Sequence, residues 1–257
     1  MMEPYENLAT LYDVAGWGDF AEGMADRVLA LAAEHGLNEV DHIVDVACGT
    51  GIAAAKFAQA GYRVTGVDRS PHMLAQARQR VAEAGLPEVT FVEADMRHFA
   101  LNQPADLVTC MYDSLNYLLE ETDLAAAFRC AAAALRHGGL YILDMNTLFG
   151  LAEGRGSRDF IHCDTDDRFI VGRTRWDHET STNTLVFHGF VRRGEMWERF
   201  AETHVERGYP MARICALLEQ AGLRVLTIYD AHPEGAGEPG PEMGRVLVVA
   251  QREGVAI

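Results

Sequence analysis

Two hydrophobic rhythms divide the chain, and they change near residue 155. Before that point short apolar runs alternate with helical periodicity. Residues 19–35 (DFAEGMADRVLALAAEH) carry an amphipathic helical stripe. Asp19 is placed to cap it, Glu22 to complete a capping box and Gly36 to end it. Residues 42–48 (HIVDVAC) predict a strand and 52–60 a helix closed by Gly61. Residues 63–68 (RVTGVD) predict a second strand. A helix follows from Pro71, capped by Ser70 and ended by Gly85. Strands are expected at 89–93 and 105–112, an alanine-rich helix at 124–136 stopped by Gly138–Gly139, and a fifth strand at 140–145. Apolar strands separated by helices predict a parallel sheet covered on both faces.

Beyond residue 155 the pattern becomes alternating and strongly polar. Residues 168–177, 185–193 and 197–207 predict strands joined by turns at 181–183 and 193–194, hence an antiparallel sheet with one wet face. A helix at 211–221 begins after Pro210 and ends before Gly222, and strands are expected at 223–229 and 245–251. With no helix between them, these last two strands can pair antiparallel. The chain therefore predicts one α/β domain over residues 1–257, with an antiparallel β insertion at 155–208.

Composition narrows the chemistry. The chain has 257 residues, enough for a large core, and 22 basic against 38 acidic residues give a net charge of −16. That charge disfavours a phosphate-binding surface, so nucleic acid is not an expected partner. Lys56 is the only lysine, sitting mid-helix, which sets Schiff-base chemistry aside. Five scattered cysteines, none in a C-x-x-C pair, fit a reducing compartment. The opening MMEPYENLATLYD lacks the features of a signal peptide, and no apolar run approaches a membrane span, so a cytoplasmic location is expected.

The strongest chemical signal is Asp45-Val-Ala-Cys-Gly-Thr-Gly51, an apolar strand running into two glycines and then a helix. Glycine makes the turn tight and admits a ligand close to the backbone. The next strand ends in Asp68, at a neighbouring strand end, where a carboxylate can accept both hydroxyls of an adenosine ribose. A dinucleotide prefers G-x-G-x-x-G, and here the third position is Ala54. A sulfonium nucleoside carrying an ammonium tolerates an acid such as Asp45, whereas a pyrophosphate does not.

D-V-A-C-G-T-G followed by V-T-G-V-D resembles the cofactor motif of class I S-adenosylmethionine-dependent methyltransferases. The resemblance covers residues 5–149 strongly and 211–251 in layout. It implies a Rossmann-like seven-stranded, mostly parallel sheet with an antiparallel last strand, and S-adenosyl-L-methionine as cofactor. It further implies that the backbone at Ala47, Cys48, Gly49 and Gly51 holds the methionyl part, with Asp45 near its ammonium. Asp68 would hold the ribose, Arg69 and Met73 would lie against the adenine, Asp95 would meet the adenine amino group and the Met96 backbone a ring nitrogen. Tyr5 and Tyr12 match an opening segment that folds over the cofactor in relatives.

The stretch from Cys110 through Met111 to Tyr117 (CMYDSLNY) follows the fourth strand, beside the reacting methyl in this fold. It looks like a small-molecule subgroup that includes amino-sugar N-methyltransferases, and it lacks the N-P-P-Y or D-P-P-Y of nucleic-acid enzymes. Tyr112, Asp113, Asn116 and Tyr117 are the expected acceptor-side residues, with His178, His188 and His204 as further candidates that solvated strand positions explain better. Methyl transfer is an in-line displacement, so alignment and desolvation matter more than a strong base. No metal is expected: His162, Cys163, Asp164 and Asp166–Asp167 match no zinc or calcium spacing. The insertion is expected to be a lid over a small-molecule acceptor, a homodimer surface, or both. A non-catalytic adenosyl-ligand binder and an NAD-dependent dehydrogenase are the alternatives on the same fold.

Overall fold

The structure is a computed structural model that describes residues 19–231 and 243–254. Tyr5 and Tyr12, like the side chains proposed to cap the first helix, lie outside the described positions. The first half alternates as expected: α1 (Asp19–Glu34), β1 (His42–Val46), α2 (Ile52–Gln59), β2 (Arg63–Asp68), α3 (Pro71–Glu83), β3 (Val89–Glu93), β4 (Ala105–Cys110), α4 (Glu121–Ala134) and β5 (Leu135–Asn146). A 3-10 turn at Ser114–Tyr117 follows β4, and a π-helical turn at Gly150–Arg155 follows β5. Then come β6 (Asp159–Asp164), β7 (Arg168–Asp177), β8 (Thr182–Arg193), β9 (Met196–Arg207), α5 (Met211–Gln220), β10 (Leu223–Asp230) and β11 (Arg245–Arg252).

The main sheet has seven strands in the order β10-β11-β5-β4-β1-β2-β3. β11 runs antiparallel to both neighbours, and the remaining pairs are parallel. Successive strand residues face opposite ways, so both faces of the sheet must be covered. Ile43, Leu107 and Ile142 pack beneath α1 and α2, while Val44, Val108 and Tyr141 pack beneath α4 and α5. The chain order reverses at β1, which has β2 on one side and β4 on the other. A ligand crevice is expected there, outside the carboxyl ends of the strands.

Two expectations are corrected. The alanine-rich helix ends at Ala134, because Leu135 turns extended (φ −82°, ψ 148°) and starts β5. Gly138 and Gly139 are thus a kink within the strand rather than a helix stop. Pairing jumps from Ala105–Leu135 to Leu107–Leu140, and a β-carbon at Gly139 would lie 2.8 Å from the Asp106 carbonyl oxygen. The insertion also holds a fourth strand, β6, ahead of the three expected. It pairs with β7 to give the order β6-β7-β8-β9. His162, Cys163 and Asp164 belong to that strand.

Candidate active site

The chemistry-bearing residues gather at the carboxyl ends of β1 to β4. One cavity there is lined by Asp45 in β1 and Ala47, Cys48 and Gly49 after it, Asp68 at the end of β2 and Arg69 and Met73 after it, Asp95 and Met96 after β3, and Met111, Tyr112 and Tyr117 after β4. Gly51 is not on its wall, and the two glycines of the turn serve different ends. At Gly51 (φ +76°) a β-carbon would lie 2.9 Å from the Ala77 β-carbon, so glycine lets α3 pack against the turn. At Gly49 (φ +55°) a β-carbon would meet no atom of the described residues within 4 Å, so among them that position faces open space. Ala47 shares the left-handed backbone at φ 57°, an uncommon conformation for a residue with a side chain.

Asp68 is fixed by two backbone donors. The Gly49 N–H reaches Oδ2 at 2.9 Å and the Ser70 N–H reaches Oδ1 at 2.8 Å. Burial raises its carboxyl above the ordinary range, against the pull of these two hydrogen bonds. Asp45 is buried and accepts from Thr109 Oγ1 at 2.8 Å, while its other oxygen has no hydrogen-bond partner among the described residues. Burial pushes it up to about 7, opposed by the Thr109 hydroxyl and reinforced by the charge of Asp68. Asp95 is held the other way. Arg97 grips it through Nε and Nη2 at 2.9 and 2.6 Å and holds its carboxyl down at about 2. Arg97 is in turn anchored to Asp123 at 2.6 Å. Cys48 lines the cavity as a buried thiol whose pKa burial raises, and so a poor nucleophile.

After β4 the backbone turns through two consecutive left-handed residues, Tyr112 (φ 65°) and Asp113 (φ 52°). This turn sends neighbouring side chains to opposite destinations. Tyr112 faces the cavity, with the Arg245 guanidinium 5.2 Å from its ring centre. Asp113 points back into a buried ion cluster. It accepts from Arg155 Nη2 at 2.8 Å, and its N–H donates to Asp144 Oδ1 at 2.8 Å. Asn116 is likewise turned into the scaffold and fully buried. Its amide donates to the Asn146 and Arg207 carbonyls at 3.0 and 2.9 Å and accepts from the Asn146 N–H at 2.9 Å. The expectation that Asp113 and Asn116 face an acceptor is therefore corrected, because both side chains have their hydrogen bonds met away from the cavity.

Tyr117 stays on the cavity wall, with Ser114 and Leu118 beside it. Its hydroxyl lies 3.0 Å from His204 Nδ1. The three candidate histidines, His178, His188 and His204, separate cleanly. His178 is exposed and accepts from half-buried Trp176, and His188 lies 3.3 Å from Arg199. His204, by contrast, is buried and reaches the site through Tyr117. Among the described residues no group of three or more His, Cys, Asp or Glu side chains is arranged to hold a metal.

A methyltransferase-domain family model matches residues 43–139, the segment that builds this cavity. The putative methyltransferase YqeM of Bacillus subtilis is 30% identical over 224 residues, covering 85% of this chain and 87% of that protein. This chain belongs to the S-adenosylmethionine-dependent methyltransferases. The methyltransferase is also 29% identical to a Streptomyces venezuelae dTDP-3-amino-3,4,6-trideoxy-α-D-glucopyranose N,N-dimethyltransferase, over 77% of this chain and 81% of that one. A crystal structure of an S-adenosylmethionine-dependent methyltransferase from Clostridium acetobutylicum superposes with a TM-score of 0.85. It is 26% identical and covers 97% of this chain and 99% of that one.

The methyltransferase's cavity fits its cofactor on two counts. Among the described residues a buried carboxylate oxygen at Asp45 lacks a hydrogen-bond partner, and the backbone at Gly49 borders open space that any side chain would occupy. Several contributors were not singled out from sequence. Thr109 sets Asp45 from the middle of an apolar strand. Arg97 sets Asp95 from two residues away, a spacing that could have pointed to it.

Proposed function

We propose that this methyltransferase transfers a methyl group to the nitrogen or oxygen of a small-molecule acceptor, with an amine the favoured nucleophile. The observation that carries this is the continuity of one cavity from Asp45, Gly49 and Asp68 to Tyr112, Ser114, Tyr117 and Leu118. One end has the furniture of a cofactor site, and the other offers aromatic and hydroxyl groups to a second molecule. The amino-sugar N,N-dimethyltransferase relative supports nitrogen as the acceptor atom. The net charge of −16 supports a small acceptor over nucleic acid.

In this reading the backbone at Ala47, Cys48 and Gly49 holds the methionyl part, Gly51 closing the turn, and Asp45 faces its ammonium. Asp68 takes the ribose hydroxyls. Arg69 and Met73 border the adenine, whose amino group and ring meet Asp95 and the Met96 backbone. Met111 and Tyr112 border the reacting centre. S-adenosylmethionine supplies a methyl already activated by its positive sulfur. The chain's own task is then to hold the acceptor in line and keep water out, effects that together supply about 7–11 kcal/mol in favourable cases. The four-stranded sheet serves as the lid of the acceptor end, since β9 supplies His204 behind Tyr117. A cytoplasmic location is consistent with this reading, and no described helix is long and apolar enough to cross a membrane.

Calorimetry with S-adenosylhomocysteine and with NAD, followed by mass-spectrometric screening of amines, phenols and carboxylates, tests the proposal. It expects heat with the first ligand only and a mass gain of one or more methyls on an amine. Binding without methyl loss to any acceptor would favour a non-catalytic ligand binder. Removing residues 159–207 should abolish acceptor turnover.

A further inference from the structure

The side chains behind Tyr117 form a line into the lid sheet. Tyr117 Oη sits 3.0 Å from His204 Nδ1, and His204 Nε2 sits 3.4 Å from Glu202 Oε1. The Glu202 and His204 side chains are 4% and 2% exposed. Both project from the same face of β9, because residues two apart on a strand share a face. Phe187 packs edge-on against the imidazole at 5.8 Å between ring centres, and Tyr117 does so at 5.9 Å. The imidazole is thus clamped between two rings, with a carboxylate at one nitrogen and a phenol at the other.

We propose that Tyr117, His204 and Glu202 form a proton relay that takes a proton from the acceptor's nucleophilic nitrogen. The inference rests on the reading of Tyr117 as the acceptor end of the cavity. The Glu202 carboxylate favours the tautomer with hydrogen on Nε2, leaving the Nδ1 lone pair to accept from the Tyr117 hydroxyl. The 3.4 Å separation is long for a hydrogen bond, so Glu202 acts on the ring chiefly through its charge. An acceptor amine arrives largely protonated at neutral pH, with no lone pair to donate. In the relay its proton passes to Tyr117 Oη as the phenol's own proton moves to His204 Nδ1. The imidazolium so formed lies beside Glu202. The freed nitrogen lone pair then forms the C–N bond as the methyl–sulfur bond breaks and its electron pair goes to sulfur. After product leaves, the proton returns to water through Tyr117. Among the described residues, charged or titratable groups near the relay include Glu206 on the same face of β9, His162 across Phe187, Arg155 on the π-helical turn and Asp113 beyond it.

Glu202→Gln, His204→Gln and Tyr117→Phe test the relay, each measured as kcat/KM on primary amino sugars from pH 6 to 10. At pH 6.5 each variant should fall by about 10²-fold, the usual scale of positioned proton transfer. The deficit should shrink as pH rises and the amine loses its proton in bulk water. A variant-to-wild-type ratio that stays flat across the range overturns the relay, because a purely structural role gives such a profile. Nitrogen-15 spectra of the protein loaded with S-adenosylhomocysteine give a readout independent of turnover. Hydrogen on His204 Nε2, with an Nδ1 resonance that Tyr117→Phe displaces, supports the relay; hydrogen on Nδ1 overturns it. Loss of S-adenosylhomocysteine binding in the wild-type protein would instead sink the reading of the whole site. Tight binding with a flat ratio sinks the relay alone.

Discussion

The Asp68 carboxylate accepts the Gly49 N–H at 2.9 Å, and this bond ties the end of β2 to the glycine turn after β1. Asp68 therefore shapes the turn as well as facing the cavity. Hydrogen bonds to a charged group are worth about 1.5–3 kcal/mol each. Asp68→Ala should weaken S-adenosylhomocysteine binding by about tenfold to a hundredfold, since about 1.4 kcal/mol is a factor of ten. Asp68→Asn keeps an acceptor for one of the two backbone donors and should fall between the wild type and the alanine variant. Calorimetric titration of the three proteins checks this order, and wild-type affinity in Asp68→Ala would remove the assignment.

The two glycines of the turn should fail differently when changed to alanine. At Gly51 the added carbon meets Ala77 at 2.9 Å and the backbone is left-handed, so the fold itself suffers. At Gly49 only the left-handed strain applies, roughly 1–3 kcal/mol, but the methyl group enters space kept for the ligand. Gly51→Ala should lower the melting temperature more, and Gly49→Ala should lower affinity more relative to its stability loss. Thermal melts with and without S-adenosylhomocysteine separate the two effects.

The main sheet was legible because its strands repeat one pattern, apolar residues bounded by a glycine or an acid, and Asp45 and Asp68 stand at such boundaries. β9 was not legible in the same way. Its buried residues are Glu202, His204 and Glu206, while Thr203 is exposed and Val205 half-buried. The alternation is present with its polarity reversed, because this face meets Tyr117, Asn146 and Arg155 rather than a greasy core. Asp113 and Asn116 sat inside the right segment, but spacing along an irregular turn does not say which way a side chain points. The left-handed pair at Tyr112 and Asp113 decided that.

Asp45 predicts a proton coupled to ligand binding. Burial has pushed its pKa up to about 7, so below that pH the carboxyl is mostly neutral. A ligand ammonium beside it favours the charged form and must displace the proton. Affinity for S-adenosylhomocysteine should fall by about tenfold per pH unit below 7 and level off above it. Asp45→Asn should bind more weakly at pH 8 and lose most of this slope. Without ligand the sign reverses. A carboxyl raised in the folded state contributes stability fully below its unfolded pKa, and that contribution is lost as pH rises through 7. Titrations in two buffers of different ionisation enthalpy count the proton released.

Arg155 joins the four-stranded sheet to the main domain. It contacts Asp113 at 2.8 Å on one side and Glu206 on the other, and Asn146 Nδ2 donates to Glu206 at 2.8 Å. Asp144 nearby is held by Arg245 Nε at 2.7 Å. Three buried carboxylates thus share two guanidinium groups; burial raises Glu206 to about 7 and Asp144 to about 6, and the neighbouring charge of Asp113 adds to the rise in each. Arg155→Ala leaves Asp113 and Glu206 without their shared cation, and breaking such buried pairs typically costs about 3–5 kcal/mol. The loss should be smaller at pH 5.5 than at pH 8, because below its raised pKa Glu206 sheds its charge by taking up a proton. Glu206→Gln in the Arg155→Ala background should recover part of the stability at pH 8 and little at pH 5.5. Urea unfolding at the two pH values measures it. A deficit in Arg155→Ala that is the same at both would mean that the cluster's charge does not govern how firmly the four-stranded sheet is held.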